Sequence, residues 1–195
     1  STASAASVTG LAFISPIILL IKNHYNVSSN EAQLTITIYL VAICISQIFW
    51  GPLSDLIGRR VVLIIGASLF SLGGLLASLN LDFEVFVFFR FLQGVGAAAC
   101  LSMPRVMLTE SYGVKKAAAK MSTLLAFMAI FPILSAAFGG YIGENYGWQI
   151  NFFTLFIFGF IIFLLNFVYS PETIKNKNKR LTFRTTFLDF RYLFG

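Results

Sequence analysis

An all-α membrane protein, a bundle of six spanning helices, is the fold class this sequence predicts, and three observations carry it. Of its 195 residues 57% are hydrophobic and only 11% charged, with a mean hydropathy of +0.82. Soluble domains carry about 25% charged residues, so the composition belongs in a bilayer. The chain also offers six mostly apolar runs separated by short polar breaks, each near the ~20 residues a spanning helix needs. Finally, the basic residues fall almost wholly in alternate breaks.

The runs cover 3–21, 34–50, 61–79, 85–108, 121–142 and 150–169. To the breaks after the second, fourth and sixth belong Arg59 and Arg60, then Arg105, Lys115, Lys116 and Lys120, then Lys175, Lys177, Lys179, Arg180, Arg184 and Arg191. The other breaks hold Lys22 alone, beside Glu31, Asp82, Glu84 and Glu144. Lys and Arg are retained on the cytoplasmic side, so both ends of the segment are expected in the cytoplasm. The formal charge of +6 is then a topology signal. No nucleic-acid partner is expected, because that footprint would cluster on one soluble face. Cys44 and Cys100 lie inside apolar runs, which excludes a disulfide framework or metal-ligand spacing. His24, without a partner nearby in sequence, is expected to be a solvated loop residue. The chain starts without Met inside an apolar stretch and lacks the basic region and cleavage site of a signal peptide, as an excised segment would.

In the second run Thr35, Tyr39 and Ser46 share one helical face, with Gln47 adjoining. That face either lines a central cavity or bonds through its hydroxyls to a neighbouring helix. The fourth run holds the one charge placed well inside a span, Arg90, with Gln93 and Gly94 three and four residues on. Burying an arginine in a bilayer costs at least ~2.5 kcal/mol, which makes it a functional candidate, the alternative being a side chain that snorkels outward. Gly94, Gly96 and Ala97 to Ala99 give this run a small-residue face, as Ala129, Ala136, Gly139 and Gly140 do for the fifth. Such faces serve close packing or sliding of helices. Pro132 should bend the fifth run. The sixth carries no charge and seven phenylalanines, expected to face lipid or pack the bundle. Residues 170–195 then change composition, as a linker leading into an amphipathic stretch on the membrane surface around Phe183, Phe187, Phe190, Tyr192 and Phe194 would.

Two breaks resemble each other. Gly51-Pro52-Leu53-Ser54-Asp55-Leu56-Ile57-Gly58 and Gly140-Tyr141-Ile142-Gly143-Glu144-Asn145-Tyr146-Gly147 both read Gly, three residues, an acid, two residues, Gly, and lie 89 residues apart. Three spans fit that interval. An odd number of crossings places the copies on opposite faces, so the six runs parse as two units of three with inverted topology, an arrangement known in secondary transporters. Gly51 and Gly58 suit a connection of a few residues, and Asp55 can hydrogen-bond a helix start or pair with Arg59 or Arg60.

The first copy, completed by Arg59-Arg60, resembles the loop signature between helices two and three of the major facilitator superfamily. Arg90-Phe91-Leu92-Gln93-Gly94-Val95-Gly96-Ala97-Ala98 resembles its fourth-helix signature. Gln47, Pro132 with Gly139-Gly140, and Ser170-Pro171-Glu172-Thr173 followed by residues 184–192 are similar to the bicyclomycin and chloramphenicol resistance branch of drug efflux antiporters. The resemblance implies a six-helix half of a major facilitator fold, a 3+3 inverted repeat over 1–169, with 170–195 beginning the central cytoplasmic loop and a second six-helix half as partner. It implies proton coupling through Arg90, a substrate cavity touched by Thr35, Tyr39, Ser46, Gln47 and Gln93, and conformational motifs at Gly51, Asp55, Gly58, Arg59, Arg60, Gly94, Gly96, Pro132, Gly139 and Gly140. The family's fifth-helix motif usually has Gly-Pro where this chain has Ser135-Ala136.

The function expected is part of an efflux transporter for small amphipathic molecules in a bacterial inner membrane, working by proton-coupled antiport and alternating access. It needs no cofactor beyond the proton gradient. No Asp or Glu lies inside a run, and Ala12 stands where the family's first-helix acid would, so neutral or zwitterionic substrates are expected over cations. Importing a small metabolite is the alternative reading, and a six-span protein that does not transport is another. An enzyme is not expected, because the runs hold no Ser/His pair, two-His helix or carboxylate pair.

Overall fold

All six runs are helices in a computed structural model that describes residues 3–173. They are α1 (Ala3–Tyr25), α2 (Ser29–Ile57), α3 (Arg59–Ala77), α4 (Phe83–Gly113), α5 (Lys116–Tyr146) and α6 (Trp148–Tyr169), each long and apolar enough to cross a membrane. The amphipathic stretch expected around Phe183 to Phe194 lies outside the described residues.

The helices outlast the apolar runs because their ends are built from polar residues that cap well. Ser28 begins α2 with a reciprocal cap: its hydroxyl accepts from the Glu31 N–H at 3.2 Å, and its own N–H donates to Glu31 Oε2 at 2.8 Å. Just before it, Asn26 closes α1 in the left-handed conformation at φ 51°. Arg105, assigned above to an inner break, is a residue of α4 itself, and its Nη2 reaches Met128 Sδ on α5 at 3.7 Å.

Three connections shrink to almost nothing. Gly58, at φ 116°, is the one residue between α2 and α3, and Gly147, at φ 90°, is the one residue between α5 and α6. Each N–H still caps the helix before it, donating at 3.1 Å to Ser54 and Gly143 respectively. These are the closing glycines of the two repeated motifs, so the repeat has a structural meaning: a helix stops and the next begins at a residue only glycine occupies without strain. Gly113, at φ 69°, turns α4 into α5 in the same way.

The two motif copies lie at opposite ends of the bundle. Arg59, next to Gly58, pairs with Glu110 of α4, which puts the α2–α3 and α4–α5 links at one end. At the other end His24 Nε2 donates to Asn80 Oδ1 at 2.5 Å and its ring lies 5.2 Å from that of Trp148, next to Gly147. His24 is therefore the last turn of α1 with a partner on the α3–α4 connection, not the partnerless loop residue expected. The partner stands 56 residues away in sequence, beyond the reach of local reading.

α4 is central. Its Gly94 faces α2 so closely that a β-carbon there would meet the Tyr39 carbonyl oxygen at 2.6 Å, and one on Gly96 would collide with backbone atoms of Gly66 and Phe70 on α3. Ser7 of α1 donates its hydroxyl to the Ala97 carbonyl at 2.6 Å. On α5, a β-carbon at Gly139 would meet the Phe13 carbonyl oxygen of α1 at 2.5 Å, whereas Gly140 and Gly51 have room. The approach of α2 to α4 is thus repeated as the approach of α5 to α1, as exchange of the two triplets requires. α6 is mixed: Phe152 is buried, while Phe153, Phe160 and Phe167 are exposed in a ladder with Phe156 and Phe163.

One span departs from the expected rod. α1 is a helix over Ala3–Ala12, a 3₁₀ turn over Ser15–Ile17 and a second helix over Ile18–Tyr25. Pro16 has no N–H to offer the Ala12 carbonyl, so the ladder is interrupted there.

Candidate functional site

Arg90 projects from α4 into the bundle and is fully buried, so it does not snorkel. Three groups hold it. Its Nη1 donates to Gln93 Oε1 at 2.5 Å, its Nε donates to the Thr35 carbonyl of α2 at 3.3 Å, and its guanidinium carbon lies 4.3 Å from the centre of the Tyr39 ring. Phe152 of α6 adds a second ring at 5.6 Å. A cation over an aromatic face is attracted by the ring quadrupole, and the attraction is larger in a desolvated setting. No carboxylate bonds Arg90 among the described residues, and its Nη2 and the Gln93 Nε2 have no hydrogen-bond partner there. A permanent cation is therefore held by neutral dipoles and π-faces alone, with donors to spare.

Tyr39 extends the cluster to α1, donating its hydroxyl to the Ser7 carbonyl at 2.8 Å. Thr35 donates to its own helix at Ala32, and Ser46 is buried. Of the two arrangements open for this face, the hydroxyls take the bonded one: Tyr39, Thr35 and Ser46 sit between helices. Gln47 is exposed, away from them. Arg90, Gln93, Thr35 and Tyr39 thus form one group, with Ser7 and Phe152 as members that the sequence did not reveal.

A second cluster surrounds Arg59. Its guanidinium bridges Asp55, one turn back, and Glu110 of α4 at 3.1 Å, and also donates to the Ser54 hydroxyl. Its backbone N–H donates to Glu172 Oε1 at 3.1 Å, and Thr173 donates its hydroxyl to Glu110 Oε2 at 2.7 Å. Arg60 turns the other way and donates to the Phe167 carbonyl at the end of α6 at 2.5 Å. The motif therefore ties α2, α3, α4, α6 and the Pro-Glu-Thr segment together at one end. Glu110, the second acid on Arg59, was invisible in sequence because 51 residues separate them.

A third feature is an open groove of about 500 Å³ between α1, α2 and α5, lined by Leu11, Ala12, Ser15, Ile36, Leu40 and Ile133 and flanked by Pro132. No charged side chain lines it.

Six membrane helices in two inverted triplets around a buried charge define a half of a secondary transporter. The chain belongs to the Major Facilitator Superfamily, whose family model matches residues 1–195; this is a family of transporters and not of enzymes. Among curated proteins it is 27% identical over 164 residues to a bicyclomycin resistance protein homolog of Haemophilus influenzae, covering 84% of this chain and 41% of that protein. It is 33% identical over 150 residues to multidrug resistance protein MdtL of Salmonella paratyphi A, covering 76% of this chain and 38% of the relative. The chain therefore spans about two fifths of the length of these relatives. Among solved structures it resembles a D-xylose-proton symporter, with a TM-score of 0.76 at 17% identity over 98% of this chain and 51% of that one. A bacterial homolog of the human lysosomal transporter Spinster, inward-facing and unoccupied, gives 0.73 at 15% identity over 97% and 47%.

Proposed function

We propose that this chain is the N-terminal half of a drug exporter that moves small, neutral or zwitterionic amphipathic molecules out of a bacterial cell in exchange for protons. It sits in the inner membrane with both ends of 1–169 in the cytoplasm, 170–195 opening the central loop, and a second six-helix half completing the pathway. Export is favoured over metabolite import by the drug-resistance names of the two curated relatives.

The observation that supports coupling is the Arg90 group. A fixed cation buried without an acid is expensive to hold, and membrane proteins keep such residues where charge moves. Arg90 stays charged, so it acts by setting the field in which a proton and a substrate exchange, and its spare donors give a substrate dipole or a carboxylate of the second half a place to bind in one state and not the other. The small-residue contacts at Gly94, Gly96 and Gly139 let α4 and α5 shift against α2, α3 and α1, while the Arg59 cluster fastens one end in the state seen here.

Efflux by the full-length protein in proteoliposomes, with the pH gradient intact or collapsed, tests this reading. Substrate efflux should stop when the gradient is collapsed and should be lost in Arg90→Ala. Undiminished, gradient-independent efflux in that variant would refute the coupling role.

A further inference from the structure

The groove between α1, α2 and α5 is distinct from the Arg90 group: none of its lining residues belongs to that cluster. Its size, about 500 Å³, falls in the range of sites for drug-sized ligands, roughly 300–1,000 Å³. Its wall is apolar apart from one place, the interruption of α1. There Pro16 leaves the Ala12 carbonyl without its helical donor, and the Ser15 hydroxyl faces the groove with no hydrogen bond to any described residue. Non-helical backbone at membrane depth is tolerated where it lines a cavity, because a bound molecule or water can then meet the freed groups. Ala12, where the family's acid is absent, lies in this wall, so the groove has no charge to attract a cation or an anion.

We infer that this groove is the substrate-binding subsite of the N-terminal half and that it takes an uncharged, largely apolar molecule carrying a hydrogen-bond donor. The donor meets the acceptors at the α1 break, Ser15 Oγ and the Ala12 carbonyl. The apolar body lies on Leu11, Ile36, Leu40 and Ile133. The inference deepens the export reading and rests on it for the word substrate. Binding itself requires neither a gradient nor turnover, so the two can fail separately.

The test is equilibrium binding of radiolabelled N-phenyl-1-naphthylamine, an uncharged apolar probe with one N–H, to the full-length protein in lipid nanodiscs, with empty nanodiscs as background. Ile133 is 73% exposed in this half, so Ile133→Trp fills the groove without disturbing its packing. This variant should weaken binding at least about tenfold, the loss expected when a ligand is displaced from most of its apolar contact. Ser15→Ala should weaken binding by about two- to tenfold, the worth of one hydrogen bond, and should leave the N-methyl analogue of the probe, which has no donor, unaffected. Arg90→Ala should bind the probe as the parent protein does.

Unchanged affinity in a correctly folded Ile133→Trp protein would overturn the inference and show the face to be covered by the second half. An equal loss of both probes in Ser15→Ala would overturn the donor assignment. Tighter binding of the cation tetraphenylphosphonium than of the neutral probe would overturn the substrate class. Altered binding in the groove variants together with gradient-independent efflux would leave the subsite standing and remove proton coupling.

Discussion

Arg90 and Gln93 stand one turn apart on α4, both fully buried, and are joined by a hydrogen bond of 2.5 Å from the guanidinium to the amide oxygen. The bond takes up the amide's single acceptor and leaves donors on both side chains unsatisfied, while the opposite face of the guanidinium is taken by Tyr39. Buried donors left over in this way are expensive unless another state of the molecule uses them.

The first prediction separates the two contributions of Tyr39. Tyr39→Phe keeps the ring over Arg90 and removes the bond to the Ser7 carbonyl, at a cost of about 1 kcal/mol. Gradient-driven efflux should remain near the parent level. Tyr39→Leu removes the ring as well and should reduce efflux several-fold further. Equal efflux in the two variants would show that the ring does not matter.

Backbone strain provides the second. Alanine at Gly147 must adopt φ 90°, which costs on the order of 1–3 kcal/mol. Alanine at Gly58 has φ 116° and brings its β-carbon onto the Glu172 carboxylate as well, so Gly58→Ala should lower the thermal midpoint in detergent more than Gly147→Ala. Gly51→Ala, with open space around it, should be nearly neutral. Fluorescence-detected thermal unfolding by size exclusion ranks the three.

The third concerns the Arg59 cluster. The Asp55 side chain is 37% exposed and the Glu110 side chain 30%, so each pair is screened and worth at most about 1 kcal/mol. Asp55→Asn or Glu110→Gln alone should therefore shift the thermal midpoint only slightly. Arg59→Met leaves the two carboxylates facing the same space with no cation between them, and should be more harmful than either. Restoring stability by combining Arg59→Met with Glu110→Gln would confirm that repulsion is the cause.

Fourth, the two copies of the Gly-x-x-x-acid motif should be reachable from opposite sides. With Cys44 and Cys100 replaced, a cysteine at 56 should react with a membrane-impermeant maleimide only in inverted vesicles, and one at 145 only in intact cells. α5, 31 residues long and thus about 46 Å, reaches from the end marked by Gly113 to the end marked by Gly147. Labelling of both from one side contradicts the inverted repeat.

What was legible in the sequence was what depends on local order. Run length and hydropathy located all six helices, because a spanning segment must satisfy its backbone within itself and expose apolar side chains. Their ends were placed short, since a hydropathy window stops at Glu31 or Asp55 whereas the hydrogen-bond ladder continues through both. The shared face of Thr35, Tyr39 and Ser46 followed from helical period, but whether it met a cavity or a neighbour did not. A period says which residues lie together and not what they lie against.

By itself the sequence determined the number of spans, their inverted pairing and the identity of the one deeply buried charge, since hydropathy, spacing and the one-residue glycine links act over a few residues. Only the tertiary structure decided that Arg90 is held by Tyr39, Thr35 and Gln93 without an acid, that Glu110 shares Arg59 with Asp55, and that the α1 break at Pro16 opens onto an uncharged groove. Each of these joins residues on different helices. Their meeting is set by which small residues let those helices approach, a property of the packed bundle as a whole.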